Sequence, residues 1–344
     1  MIRAAVDRLL HGFLNEQQRM RPYLPELSLF TGLLHDMFNA GGKRIRPLLC
    51  VTGWCAITEQ LPTTAVFRAA ASLELFHAFA LIHDDIMDHS DTRRGRPSAH
   101  RILAAGHTHH ADAAALGSNA AILLGDLALG WSYEILQDLD TAPEQIARIL
   151  PLFDALRVET LVGQYLDLAA ARNPASDTGT AWRIVRYKTA KYTIERPLHI
   201  GAGLAAATDP QLRVLSAYAL PLGEAFQLRD DLLGVYGNCA ATGKSRLDDL
   251  REGKHTVLYA IARERATVPQ QQCLTRYFGD PCLTDSQAEQ LRDVLTATGA
   301  RSAVERSIAE KTAQALDALD TSDFQPVGLQ GLRALAHTAA KRTG

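Results

Sequence analysis

The chain has 344 residues, 47% hydrophobic and 22% charged, enough for a large buried core without demanding two domains. Aromatics are only 6%, Ala and Leu abound and β-branched runs are scarce, which favours helix throughout. The net charge is −2 and there is no long basic block, so a nucleic-acid partner is not indicated.

Met1 to Leu14 carries Arg3, Asp7 and Arg8 among apolar residues, the pattern of an amphipathic helix and not of a secretory signal. Gly41-Gly42-Lys43-Arg44-Ile45-Arg46-Pro47 then sets three cations after a glycine pair, where backbone can approach a phosphate closely. Helical periodicity follows over Val66–Met87, Asp126–Leu136, Ile146–Leu168 and Leu212–Leu233. Turn residues punctuate the chain at Pro22–Pro25, Asp91–Pro97, Asn173–Thr180, Thr208–Pro210, Gly237–Arg251 and Gly279–Ser286. No stretch alternates with period two long enough to make a sheet. Ala113 to Leu129 is the longest apolar stretch, and Gly117, Ser118, Asn119, Gly125 and Asp126 interrupt it, so no membrane span is expected. Five cysteines, at 50, 55, 239, 273 and 282, form no C-x-x-C pair, as expected for reduced thiols in a cytoplasmic protein.

The first chemical signal closes the helix over Leu73–Asp88, which reads L-E-L-F-H-A-F-A-L-I-H-D-D-I-M-D. Asp84 and Asp88 share a helix face, about 6 Å apart along the axis. Two carboxylates so placed suit magnesium, which prefers one or two carboxylates with water and phosphate oxygens. A solvated helix end is the plainer alternative. Yet negative charge at a helix C-terminus opposes the macrodipole by about 0.3–1 kcal/mol per charge, and such local conflicts mark functional sites. Ala219–Gly234 repeats the pattern as A-L-P-L-G-E-A-F-Q-L-R-D-D-L-L-G, closing on Asp230 and Asp231. Two such ends meeting over an oily shaft would suit a diphosphate with a hydrocarbon tail. Cations must accompany them, and Arg93, Arg94 and Arg96, Lys188 and Lys191, and Lys244 and Lys254 around Asp248 and Asp249 supply them.

Taken together these motifs resemble the trans-isoprenyl diphosphate synthases, the family that includes farnesyl and geranylgeranyl diphosphate synthases. The likeness runs from Gly41-Gly42-Lys43 through D-D-x-x-D with R-R-G-R-P, Gly163-Gln164-x-x-Asp167, Lys188-Thr189 and F-Q-L-R-D-D to Lys254. It implies an all-α fold, an isoprenoid synthase bundle of antiparallel helices around a central cavity. It also implies one domain over 1–344, with the motifs in about 40–260 and C-terminal helices in 261–344. The implied reaction joins isopentenyl diphosphate to a dimethylallyl, geranyl or farnesyl diphosphate and releases diphosphate.

By this resemblance Asp84 and Asp88 bind two magnesium ions and Asp230 a third, with Asp85 and Asp231 in support. Arg93, Lys188, Lys244 and Lys254 hold the allylic diphosphate, and Lys43, Arg46, His77 and Arg94 hold isopentenyl diphosphate. Thr189, Tyr192 and Gln227 face the developing carbocation, and the partner is a second copy of the chain. One departure stands out: Gly234 occupies the place where the family often has a third aspartate.

For product length, Phe79 lies five residues before Asp84 and Ala80 four, with no two-residue insertion in the first motif. That pattern resembles geranylgeranyl diphosphate synthases more than farnesyl ones; farnesyl or longer products are the alternatives. Wheel arithmetic puts Ala80 and His77 on the face of Asp84 and Phe79 about 140° away, in a stripe with Phe76 and Ser72.

Three rivals remain. A di-iron bundle would use Glu74…His77 and Glu252…His255, but the second pair includes Gly253 in a polar segment. A catalytically silent regulatory subunit would be expected to lose motif aspartates, and all five are present. A terpene cyclase has no need of the Lys43 and Arg46 clamp. His107, His109 and His110 read as an exposed loop cluster.

Overall fold

The computed structural model describes residues 2–137, 139–173, 176–237 and 246–340, and side chains up to 338. The fold is all-α. The chain divides into two compact units, Met1–Arg148 with Ile200–Ala205, and Ile149–His199 with Ala206–Gly344.

In the first unit, α1 (Ile2–Met20) buries Val6, Leu10, Leu14 and Gln17, a stripe at helical spacing that bears out the amphipathic reading of the N-terminus. Helices α2 (Leu27–Asn39) and α3 (Ile45–Ile57) follow, and α4 (Thr64–Met87) packs against α1 and α3. Helix α4 buries residues on every side, from Ala69, Ala70 and Ala71 to Phe76, Phe79 and Ile82. A helix apolar all round is a core helix. Each fully buried Leu or Ile of this kind contributes about 1.5–3 kcal/mol.

A short ribbon follows, β1 (Thr92–Arg93) paired antiparallel with β2 (Arg96–Pro97). Its turn is Arg94-Gly95, both left-handed at φ 53 and 74, as a tight two-residue hairpin requires. With two residues per strand, the ribbon is too short to leave an alternating sequence pattern. Helices α5 (Ala99–Ala105) and α6 (Ala113–Glu134) pack on each other, and α6 also packs on α4. Gly117 permits the first contact, since a side chain there would overlap the His100 carbonyl and reach 2.7 Å from Ala104 Cβ.

By length and composition, α4 and α6 could each cross a membrane; 72% of the most apolar window of α4 is buried, against 28% for α6. The burial of α4 is that of a core helix, whereas α6 passes the length and composition test despite the interruptions read in its sequence.

The second unit contains most of α7 (Pro143–Ala170), α8 (Thr178–Ile184), a π-helical stretch Val185–Glu195, the start of α9 (Arg196–Leu204) and α10 (Asp209–Tyr236). Beyond them lie α11 (Asp248–Glu252), α12 (Val257–Arg265), α13 (Val268–Tyr277), α14 (Asp285–Ala297), α15 (Ala300–Asp320) and α16 (Pro326–Ala340). Helix α10 begins at a capping box in which Thr208 and Gln211 satisfy each other's backbone N–H groups. It packs against the π-helical stretch, α15 and α16, and the buried Tyr218 hydroxyl donates to the Leu332 carbonyl at 2.7 Å.

Candidate active site

The first acidic cluster ends α4. Asp84 and Asp85 lie in its last turn and Asp88 is its C-cap, with the Asp88 N–H donating to the Asp84 carbonyl at 2.8 Å. Asp84 and Asp88 are half-buried, whereas Asp85 is buried at 2% exposure. Asp85 is turned to Arg93, whose Nε donates at 2.7 Å and whose second nitrogen lies 2.5 Å away; Asp84 is 3.5 Å from the same guanidinium. Burial pulls the Arg93 pKa down, but the Asp85 hydrogen bond and the charges of Asp85, Asp84 and Asp88 outweigh it and hold the group raised. The tight hairpin is what returns Arg93 to the helix end, where Asp85 is its nearer carboxylate and Asp84 its farther one.

Beside it lies a cationic corner of the same unit. Arg94, at the hairpin tip, donates to the Gly41 carbonyl and packs on Gly42, where a side chain would stand 2.9 Å from its guanidinium. Gly42 at φ 140 and Arg44 at φ 47 bend the chain into α3. Arg44 is buried and bonds Glu74 at 3.1 Å, Asp7 at 2.9 Å and the Phe38 carbonyl at 2.7 Å. Burial raises the Glu74 carboxyl, and Arg44, Arg46 and Arg94 offset part of that. His77 is held well below its ordinary value by burial and then by Arg46, Arg94, Arg93 and Arg44. Arg46, Arg94, Arg93 and Arg44 are therefore grouped electrostatically around the His77 imidazole; Lys43 lies in the same bend, in the approach to α3.

Phe76, Phe79 and His83 meet in sequence, the first pair tilted and the second edge-on, with centroids 5.3 and 4.7 Å apart. Phe76 and Phe79 are buried, and Ala80 is half-buried. Gly125 of α6 lies under the His83 ring and leaves no room for a side chain.

The second acidic cluster ends α10, with Asp230 exposed and Asp231 buried. A hydrogen-bonded relay fixes the buried one: the Thr189 hydroxyl donates to Gln227 Oε1 at 2.6 Å, and Gln227 Nε2 donates to Asp231 Oδ1 at 2.7 Å. Burial pushes the Asp231 carboxyl up to about 8; the Gln227 bond opposes this, and Asp249, Asp230 and Asp167 add to it. Gly223 allows the relay, because a side chain there would come within 2.7 Å of Ala190 Cβ.

Lys188 and Thr189 sit in the π-helical stretch, a distortion often found at functional sites. Lys188 Nζ pairs with Asp167 Oδ2 at 2.6 Å. Tyr192 is buried in the same stretch. Lys254 pairs with Asp249 at 3.3 Å and Glu252 at 2.9 Å. Lys244 lies outside the described residues. Asp167 carries no role in the sequence reading, although the Gly163-Gln164-x-x-Asp167 motif marked its neighbourhood.

The donor sets fit magnesium. Asp84, Asp88 and Asp230 offer hard oxygens with access to solvent. Among the described residues no three His, Cys, Asp or Glu side chains gather into an all-protein cage, so an ion at either helix end would complete its shell with water and phosphate oxygens. The di-iron candidates are otherwise engaged: Glu74 with Arg44, Glu252 with Lys254, and His255 with the Asp177 carbonyl at 2.9 Å. A separate cavity of about 690 Å³ in the second unit is lined in part by Arg172, His255, Tyr259 and Arg263. Arg172, His255 and Arg263 there bond the backbone carbonyls of Arg251, Glu252, Asp177 and Ser176.

Comparison with known proteins matches residues 28–295 to the sequence profile of polyprenyl synthetases. The chain is 30% identical over 267 residues to a short chain isoprenyl diphosphate synthase of Methanocaldococcus jannaschii, covering 78% of this chain and 76% of that one. It is 31% identical over 314 residues to a nonaprenyl diphosphate synthase of Mycobacterium tuberculosis, covering 91% and 86%. Among solved structures it superposes on a geranylgeranyl pyrophosphate synthase of Corynebacterium glutamicum complexed with isoprenyl diphosphate and magnesium. The TM-score is 0.94 at 37% identity, over 99% of this chain and 98% of that one.

Proposed function

The chain belongs to the polyprenyl synthetase family and is a prenyltransferase of the polyprenyl diphosphate synthase type; we propose that it makes geranylgeranyl diphosphate, with magnesium, from isopentenyl diphosphate and an allylic diphosphate. The observation that carries the reading is the end of α4. There Asp84 and Asp88 keep access to solvent while Asp85 aims Arg93 from behind. A helix end that presents carboxylates and a fixed guanidinium together suits a metal-bound polyanion.

In this reading Asp84 and Asp88 would hold two magnesium ions and Asp230 a third, which would supply positive charge for the departing diphosphate. Arg93, Lys188 and Lys254 hold the allylic diphosphate, with Lys244 as a fourth cation. Lys43, Arg46, His77 and Arg94 hold isopentenyl diphosphate, whose double bond attacks the cation. His77, its pKa lowered by burial and by Arg46, Arg94, Arg93 and Arg44, donates one hydrogen bond without adding to the repulsion among the cations. Thr189, Tyr192 and Gln227 face the carbocation, and Asp231 fixes the Gln227 amide so that its oxygen end is turned to Thr189. The released diphosphate takes the final proton.

Product length rests, in this reading, on the aromatic run Phe76, Phe79 and His83 in the turns of α4 before Asp84. Farnesyl and longer products are the alternatives. We further propose that residues 1–344 act as one catalytic domain in a cytoplasmic homodimer. The exposed apolar face of α6, where Leu123 is 61% and Ile122 40% exposed, supports a second copy as its cover.

The test is radiolabelled isopentenyl diphosphate offered with dimethylallyl, geranyl or farnesyl diphosphate, with and without magnesium, followed by product sizing. Magnesium-dependent growth to twenty carbons is expected. Growth to another length rejects the geranylgeranyl assignment, and no incorporation with any starter favours the silent-subunit reading.

A further inference from the structure

The two acidic helix ends differ at one place. Asp84, Asp85 and Asp88 stand at i, i+1 and i+4, whereas Asp230 and Asp231 are followed at i+4 by Gly234. Glycine inside a helix costs about 1 kcal/mol against alanine, so its presence in α10 needs a reason. The reason is Asp249. A side chain at Gly234 would overlap Asp249 Oδ2 and stand 2.9 Å from its Cγ. The carboxylate of Asp249 therefore rests on the bare backbone of α10 one turn beyond Asp230.

The rest of the local structure holds it there. Helix α11 ends at Gly253 in the left-handed conformation, φ 68, which turns the chain back so that the Lys254 N–H donates to the Asp249 carbonyl at 3.2 Å. The Lys254 ammonium then pairs with the Asp249 carboxylate at 3.3 Å. A second observation points to a ligand. Asp231 is 7% exposed, its Oδ1 takes the Gln227 bond, and its Oδ2 is buried with no hydrogen-bond partner. A buried carboxyl oxygen left in that state costs about 1–3 kcal/mol unless a hydrogen-bond partner arrives.

We propose that Asp249 supplies the third carboxylate of the second cluster. It accepts hydrogen bonds from water molecules bound to the divalent ion at Asp230, and so replaces from α11 the side chain that Gly234 lacks. This rests on the reading that Asp230 holds a metal. The D-D-x-x-G sequence is then a complete cluster assembled from two helices. Restoring an aspartate at 234 alone is an injury, because it collides with the residue already doing that work.

The test measures manganese binding, as a magnesium probe, to the full chain with inorganic diphosphate, reading free manganese by electron paramagnetic resonance. Asp230→Asn identifies the class of site that belongs to this cluster. Asp249→Asn is expected to weaken that class by about tenfold or more, the usual effect of losing an outer partner of a metal. Gly234→Asp should weaken it similarly, and Gly234→Asp with Asp249→Ala should bring the affinity back towards wild type. Metal-free melting curves monitor folding. Wild-type affinity in Asp249→Asn, while Asp230→Asn loses a site, overturns the role of Asp249; so does a double variant no better than Gly234→Asp. Unchanged binding in Asp230→Asn instead overturns the underlying metal reading.

Discussion

Lys188 Nζ lies 2.6 Å from Asp167 Oδ2 because Gly163, one turn earlier on α7, lets that helix meet the backbone of the π-helical stretch. A side chain at Gly163 would stand 2.5 Å from the Lys188 nitrogen, and backbone cannot swing aside. Gly163→Ala should therefore destabilise the protein by about 1–3 kcal/mol and displace Lys188. Thermal melting and steady-state kinetics check this; a variant with wild-type melting temperature and turnover contradicts the contact.

Asp167→Asn removes the charge that orients Lys188 but keeps the shape of the side chain. Turnover should fall by about tenfold or more, with the Michaelis constant for the allylic substrate rising more than that for isopentenyl diphosphate. Equal changes in both constants would detach Lys188 from the allylic partner.

The buried His199 gives a pH signature of its own. Burial lowers its pKa to about 4; Glu195 opposes that and Arg196 adds to it, and the ring bonds Ser216 at 3.1 Å. In the unfolded chain the group takes a proton near 6.5. Its contribution is thus complete above 6.5 and is lost as pH falls towards about 4. The loss amounts to about 2–3 kcal/mol. Denaturant midpoints between pH 7 and 4 should show the decline, and His199→Gln should flatten it; an identical decline in the variant assigns it elsewhere.

Phe79→Ala removes the ring that touches both Phe76 and His83 and should lengthen the product by at least one isoprene unit. Chromatography of the chain-length distribution decides it. An unchanged distribution returns Phe79 to the core alone.

How far the site could be read from the sequence depended on whether a residue's partner was near in the chain. Asp84, Asp88, Asp230 and Asp231 stood out because carboxylates at the end of an apolar helix break a local rule. The long helices α4, α7 and α10 were legible from periodicity, and the cation clusters from their spacing. Arg93 was legible as a cation, but its grip on Asp85 depends on a hairpin of two-residue strands. Asp167 meets Lys188 across 21 residues, and no local pattern announces that pairing. Gly234 looked like a missing carboxylate; that the space is filled by Asp249 follows only from how α11 folds back on α10.

The claim on which the rest depends is that the aspartates of both motifs serve one magnesium-dependent condensation. It is tested most directly by incorporation of radiolabelled isopentenyl diphosphate into polyprenyl product, across a magnesium titration, in Asp84→Ala and Asp230→Ala separately. Each variant should lose about a hundredfold or more in turnover at saturating magnesium. Wild-type turnover in either one contradicts the account.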